Sequence, residues 1–107
     1  MTLDNILEEI KKAETIVIMA HETPDGDAIG SCLAMKVALK QLGKNADVII
    51  REVPKIFNFL PGREDIKTDS EVERYDLAIS LDCADFKRLV GNEYFEKAKQ
   101  TIVIDHH

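Results

Sequence analysis

The chain is 107 residues long, 45% hydrophobic and 32% charged, with a formal charge of −6 at pH 7. That length bounds it to a single domain able to bury a core, and the composition excludes a disordered polymer. The negative balance argues against a general grip on a nucleic-acid backbone, which needs clustered Lys and Arg, but leaves room for a small phosphorylated substrate held through metal ions. No apolar run approaches the roughly 20 residues of a membrane helix. The start, Met1-Thr2-Leu3-Asp4, lacks the basic and apolar segments of a signal peptide, so a cytoplasmic location is expected. Cys32 and Cys83 are isolated, without C-x-x-C spacing. Neither a structural zinc site nor a disulfide is expected, and both cysteines read as packing residues.

Leu3, Ile6, Leu7 and Ile10 fall at helical spacing, with Thr2 as N-cap and Lys11-Lys12 at the end that the helix dipole favours for cations. The β-branched run 15–20 predicts a buried strand, followed by the loop His21-Glu22-Thr23-Pro24-Asp25-Gly26-Asp27. A helix is predicted from about Ala28 to Leu42, closed by Gly43. It is apolar nearly all round (Ile29, Leu33, Met35, Val37, Leu39, Leu42), which predicts deep burial. A second strand covers 46–50, and Pro54 stops it. Residues 55–60 form a helical turn closed by Pro61-Gly62, and 63–74 is connection with at most a brief extended piece. Strand 76–81 ends at Asp82, a turn spans 86–90, a short helix is predicted over 93–100, and strand 101–104 ends at Asp105-His106-His107.

Alternating strands and helices, with strands apolar on both faces, predict an α/β fold with a mainly parallel sheet flanked by helices. In such open sheets the carboxyl ends of the strands form the ligand crevice. Strands 15–20, 76–81 and 101–104 each deliver Asp or His at that end, which would bring His21, Asp25, Asp27, Asp82, Asp105, His106 and His107 to one place. Alone, Asp25-Gly26-Asp27 reads first as a turn, Asp82 and Asp85 read equally well as capping or turn residues, and a strand cap is the lesser alternative for His21. The loop is not an EF-hand, because Ile29 stands where that motif needs a ligand. The terminal histidines continue a strand through Asp105, which an appended tag would have no reason to do.

Imidazole nitrogen and carboxylate oxygen suit Mn²⁺ or Mg²⁺ better than a structural zinc. Two such ions about 3.5–4 Å apart can share a bridging carboxylate and hold a hydroxide between them. Asp25 and Asp27, two apart across a glycine, can face different ions, and Asp82 from a neighbouring strand is the natural bridge. A further histidine near the site can contact a phosphate or protonate a leaving oxygen.

The set His21-x-x-x-Asp25-x-Asp27, Asp82 after an apolar strand, and Asp105-His106-His107 resembles the first three motifs of the DHH phosphoesterase superfamily. Within it, His-Glu-Thr-Pro-Asp-Gly-Asp-Ala-Ile-Gly-Ser is most similar to the branch of oligoribonucleases and phosphoadenosine-phosphate phosphatases (nanoRNases). The resemblance implies a Rossmann-like partial DHH domain and a hydrolase acting on short oligonucleotides or 3′-phosphoadenosine 5′-phosphate. It also implies two Mn²⁺ ions, with Mg²⁺ as the alternative metal. His21, Asp25 and Asp82 would hold one ion, and Asp27, Asp82 and His106 the other. His107 would contact the scissile phosphate, and Asp105 would orient the histidines. Cyclic-dinucleotide phosphodiesterase and a non-catalytic metal- or nucleotide-binding module are the alternative functions. The expected partner is a short oligonucleotide or small phosphorylated nucleotide, with no long duplex and no membrane, and a homodimer is left open. Family members continue past the third motif to a fourth-motif Asp and a C-terminal substrate domain. The chain is therefore expected to be the N-terminal part of a longer protein, inactive or weakly active by itself.

Overall fold

The computed structural model describes residues 3–20, 26–50, 53–81 and 92–104. Its centre is β1 (Ile16–Met19), four fully buried aliphatic residues. β1 pairs in parallel with β2 (Ala46–Ile49) on one side and β4 (Leu77–Leu81) on the other. The short β3 (Ile66–Lys67) extends the sheet beyond β2, and β5 (Gln100–Ile104) extends it beyond β4. The five strands run in the order β3-β2-β1-β4-β5, all parallel.

Successive strand side chains point to opposite faces, so each strand feeds two cores. Ile16, Ile18, Val48, Leu77, Ile79 and Ile102 share one core with Ile10 of α1 (Leu3–Lys12) and with Ile29, Cys32, Leu33 and Leu39 of α2 (Gly26–Gln41). Val17, Met19, Ile49 and Ala78 form the other with Tyr75 and with Tyr94 and Phe95 of α3 (Asn92–Lys97). The expected α/β layers are therefore present, with helices on both faces.

Both long helices end as their sequences dictate. Lys44 Nζ donates to the carbonyl oxygens of Lys11 (2.8 Å) and Ala13 (2.9 Å), placing a cation at the negative end of α1. At the end of α2, Gly43 takes φ +79°. Its N–H reaches Lys40 O, and Lys44 N–H reaches Leu39 O, both at 2.9 Å, which is a Schellman cap.

Two expectations need correction. α2 is not buried all round: Val37 and Leu42 are 57% and 55% exposed. A helix lying on a sheet buries one stripe at its 3.6-residue period, here Ile29, Cys32, Leu33 and Leu39. The apolar residues off that stripe face outward. α3 stops at Lys97 rather than reaching Gln100. The N–H groups of Lys99 and Gln100 are taken by Tyr75 O and Asp76 O, both at 3.0 Å, so the sheet captures residues that helical periodicity had assigned to the helix.

Candidate active site

The strand order reverses at β1. The chain leaves β1 through α2 towards β2 and β3 on one side, then returns to β4 and β5 on the other. In open α/β sheets the segments following two such strands diverge and leave a crevice outside their carboxyl ends. Register places these ends side by side: Met19 opposite Ser80, Ser80 opposite Val103, and Leu81 opposite Ile104. Each of the three strands runs straight into a predicted motif. His21 follows Met19 and Ala20, Asp82 follows Leu81, and Asp105 follows Ile104.

Of the predicted site residues, Asp27 is described. It lies in the first turn of α2, with an exposed side chain, at the end of the helix whose free N–H groups favour negative charge. α2 starts two residues earlier than its periodicity suggested, so Asp27 belongs to the helix rather than to the loop before it. His21, Asp25, Asp82, Asp105, His106 and His107 lie outside the described residues. Among the described residues no three His, Cys, Asp or Glu gather as a metal site.

Sequence reading did not show how the segment after β2 seats itself. Phe57 ends a 3-10 turn at Lys55–Phe57, and its ring edge lies against Gly26, the first residue of α2. Gly62, with φ +86°, passes over Leu33 one helical stretch further on. The stretch 54–62 thus runs along the first half of α2. Pro54 and Pro61-Gly62 marked it as a turn, but nothing in its composition said where it would dock.

Among the described residues the fully buried polar residue is Ser80, near the carboxyl end of β4, whereas a part-buried polar network lies towards the amino ends of the strands. The Tyr75 hydroxyl donates to Asp47 Oδ2 (2.6 Å) and lies 2.6 Å from Ser70 Oγ. The Tyr94 hydroxyl accepts from Ser70 N–H at 3.0 Å. Burial raises the Tyr75 phenol well above its usual range, and the hydrogen bond to the Asp47 carboxylate adds to this. For Asp47, burial pushes upward but is outweighed by Tyr75 and by Lys67 (3.0 Å), so its carboxyl is held below the ordinary value. Asp76 is also held low, first by the N–H of Glu14 at 2.9 Å, and further by Lys99 at 3.2 Å. The shallow concavity of about 550 Å³ beside Asp76, Glu14, Lys12 and Lys99 sits at the amino ends of the strands, away from the switch point.

Comparison with known proteins decides the family. The model of the DHH family, N-terminal domain, matches residues 15–107. The chain belongs to the DHH family. Its match begins with the approach to β1 and takes in every strand and all three motifs. The DHH chain is 39% identical over 106 residues to the bifunctional oligoribonuclease and PAP phosphatase NrnA of Thermus thermophilus, covering 95% of this chain and 31% of the relative. It is 31% identical to the uncharacterized protein MJ0988 of Methanocaldococcus jannaschii, covering 95% and 32%. A crystal structure of an exopolyphosphatase-related protein from Bacteroides fragilis superposes with TM-score 0.85 at 30% identity, covering 97% of this chain and 34% of that one. The DHH chain thus spans about a third of the length of these relatives.

Proposed function

We propose that this DHH chain supplies the metal-binding half of a phosphoesterase that hydrolyses short oligonucleotides or 3′-phosphoadenosine 5′-phosphate. The observation that carries the reading is the adjacency of the carboxyl ends of β1, β4 and β5 at the switch point, each continuing into one of the three motifs. The bifunctional NrnA of Thermus thermophilus supports the choice of substrate class.

In this reading His21, Asp25 and Asp82 hold one Mn²⁺, while Asp27, Asp82 and His106 hold the second. The donor set fits: hard carboxylates with imidazole, an exposed Asp27 on the opening turn of α2, and no thiolate among the ligands. When bound, the ions lower the pKa of the attacking water and neutralise charge on the phosphoryl oxygens. The chain's own residues do the rest. His107 contacts the scissile phosphate and protonates the leaving oxygen as water displaces it from phosphorus, and Asp105 orients the two histidines. The positive end of α2 favours the charge of Asp27 and of a substrate phosphate alike.

Replacing Asp82→Asn keeps the shape of the side chain and removes the bridging charge. Made in the full-length protein, the substitution is expected to abolish both Mn²⁺ binding and hydrolysis of a labelled dinucleotide. Unchanged hydrolysis would sink the two-metal reading, and metal binding by the unsubstituted full-length protein without turnover would favour a non-catalytic binding module.

A further inference from the structure

Gly26 stands between Asp25 and Asp27, and nothing in its backbone calls for glycine. The positive φ angles at described glycines are those of Gly43 and Gly62. Gly26 is the first residue of α2, a position that does not of itself require glycine. What a larger residue would meet is the ring of Phe57. A methyl carbon built on Gly26 would stand 3.0 Å from Cε1 of Phe57, closer than the roughly 3.5–4.0 Å of ordinary carbon contact, with Cζ at 3.4 Å and Cδ1 at 3.8 Å.

Phe57 is itself well held. Its N–H donates to Pro54 O at 2.9 Å, its carbonyl accepts from Leu60 N–H at 3.1 Å, and its half-buried ring packs against the core shared by α1 and α2. Further along the same segment, Gly62 meets α2 at Leu33, where an added Cβ would stand 3.6 Å from Cδ2. The segment 54–62 therefore grips α2 at two places, and one is the residue between two motif carboxylates. By contrast, a Cβ at Gly30, one turn later, would meet nothing within 4 Å.

We propose that Phe57 is a positioning residue for the metal site: its ring edge sets how α2 begins, and so fixes the placement of the Asp27 carboxylate in its first turn. The proposal rests on the two-metal reading above. Groups that orient metal ligands without touching the ion characteristically change affinity by about 10–100-fold when altered.

The test is a double-mutant cycle on Mn²⁺ affinity, followed by the electron paramagnetic resonance signal of free Mn²⁺. Far-UV circular dichroism establishes that each variant is folded. Gly26→Ala forces the ring and the helix start apart and is expected to weaken Mn²⁺ binding by about tenfold or more. Phe57→Leu leaves the glycine in place, removes the flat ring edge, and is expected to weaken binding by a smaller factor. In the double variant the shorter leucine makes room for the new methyl group, so binding is expected to be tighter than in Gly26→Ala alone. A merely structural role for Phe57 would lower the unfolding temperature and leave the affinity of the folded protein untouched. Native affinity in both folded single variants would overturn the proposal, and so would a double variant whose loss equals the product of the single losses. Failure of the native chain to bind Mn²⁺ is a separate result: it would remove the two-metal reading and this inference with it.

Discussion

Replacing Tyr75→Phe isolates one oxygen atom in the network that ties the segment before β4 to β2. The ring stays buried, and its edge-on contact with Tyr94, centroids 6.0 Å apart and planes at 82°, is unaffected. The hydroxyl's 2.6 Å hydrogen bond to the Asp47 carboxylate is lost, together with its contact to Ser70 Oγ. A hydrogen bond to a charged group contributes roughly 1.5–3 kcal/mol. Here Asp47 keeps Lys67 at 3.0 Å and is not left without a partner, which puts the loss near the lower end, about 1–2 kcal/mol. For a domain of this size that is a fall of roughly 4–10 °C in Tm. Urea unfolding of both proteins across a pH series gives the diagnostic. The folded-state pKa of Asp47 is depressed, so its contribution is present above the ordinary value of 3.8 and is lost as pH falls through the lower folded value. Tyr75 is shifted the other way. Its contribution is present below the ordinary phenol value of 10.0 and is lost as pH climbs towards the raised one. The gap between native protein and variant should therefore be widest across neutral pH and narrow below about pH 4 and above about pH 10. A gap independent of pH, or none at pH 7, would refute the assignment of this hydrogen bond.

Three other substitutions follow from the same structure. Gly43→Ala places a Cβ in the left-handed conformation of the α2 cap and should cost about 1–2 kcal/mol in thermal unfolding, although open space surrounds it. Gly30→Ala, inside α2 with room for a methyl group and no positive φ, should instead stabilise by about 0.5–1 kcal/mol in the same assay. Asp76→Ala removes the acceptor for the N–H groups of Glu14 and Thr15 and the partner of Lys99. With solvent screening, the urea-derived loss should be about 1 kcal/mol at pH 7 and shrink as pH falls through the depressed pKa of Asp76.

The fold was legible because strands buried on both faces carry their signal in composition. Runs such as Ile16–Met19 and Leu77–Leu81 have no polar face to confuse the reading. Gly43 likewise announced the end of α2. Burial of α2 was misjudged because composition gives the polarity of a helix face but not what covers it, and Val37 and Leu42 lie off the contact stripe. The length of α3 was overestimated because main-chain pairing of Lys99 and Gln100 with Tyr75 and Asp76 is a long-range event that helical spacing cannot register. The sequence places Asp and His just after three strands, and the register of β1, β4 and β5 puts the ends of those strands side by side, while every one of these residues except Asp27 lies outside the described residues. The approach of Phe57 to Gly26 was not legible, because 31 positions separate them and a glycine at a helix start carries no sign of what packs against it.

Calorimetric titration of Mn²⁺ into the native protein, with Mg²⁺ in parallel, tests most directly whether these strand ends form a metal site. Saturable binding that disappears when Asp82 or Asp27 is changed to asparagine is the predicted result. A folded protein that takes up neither ion, or that binds Mn²⁺ equally well without those carboxylates, would contradict it.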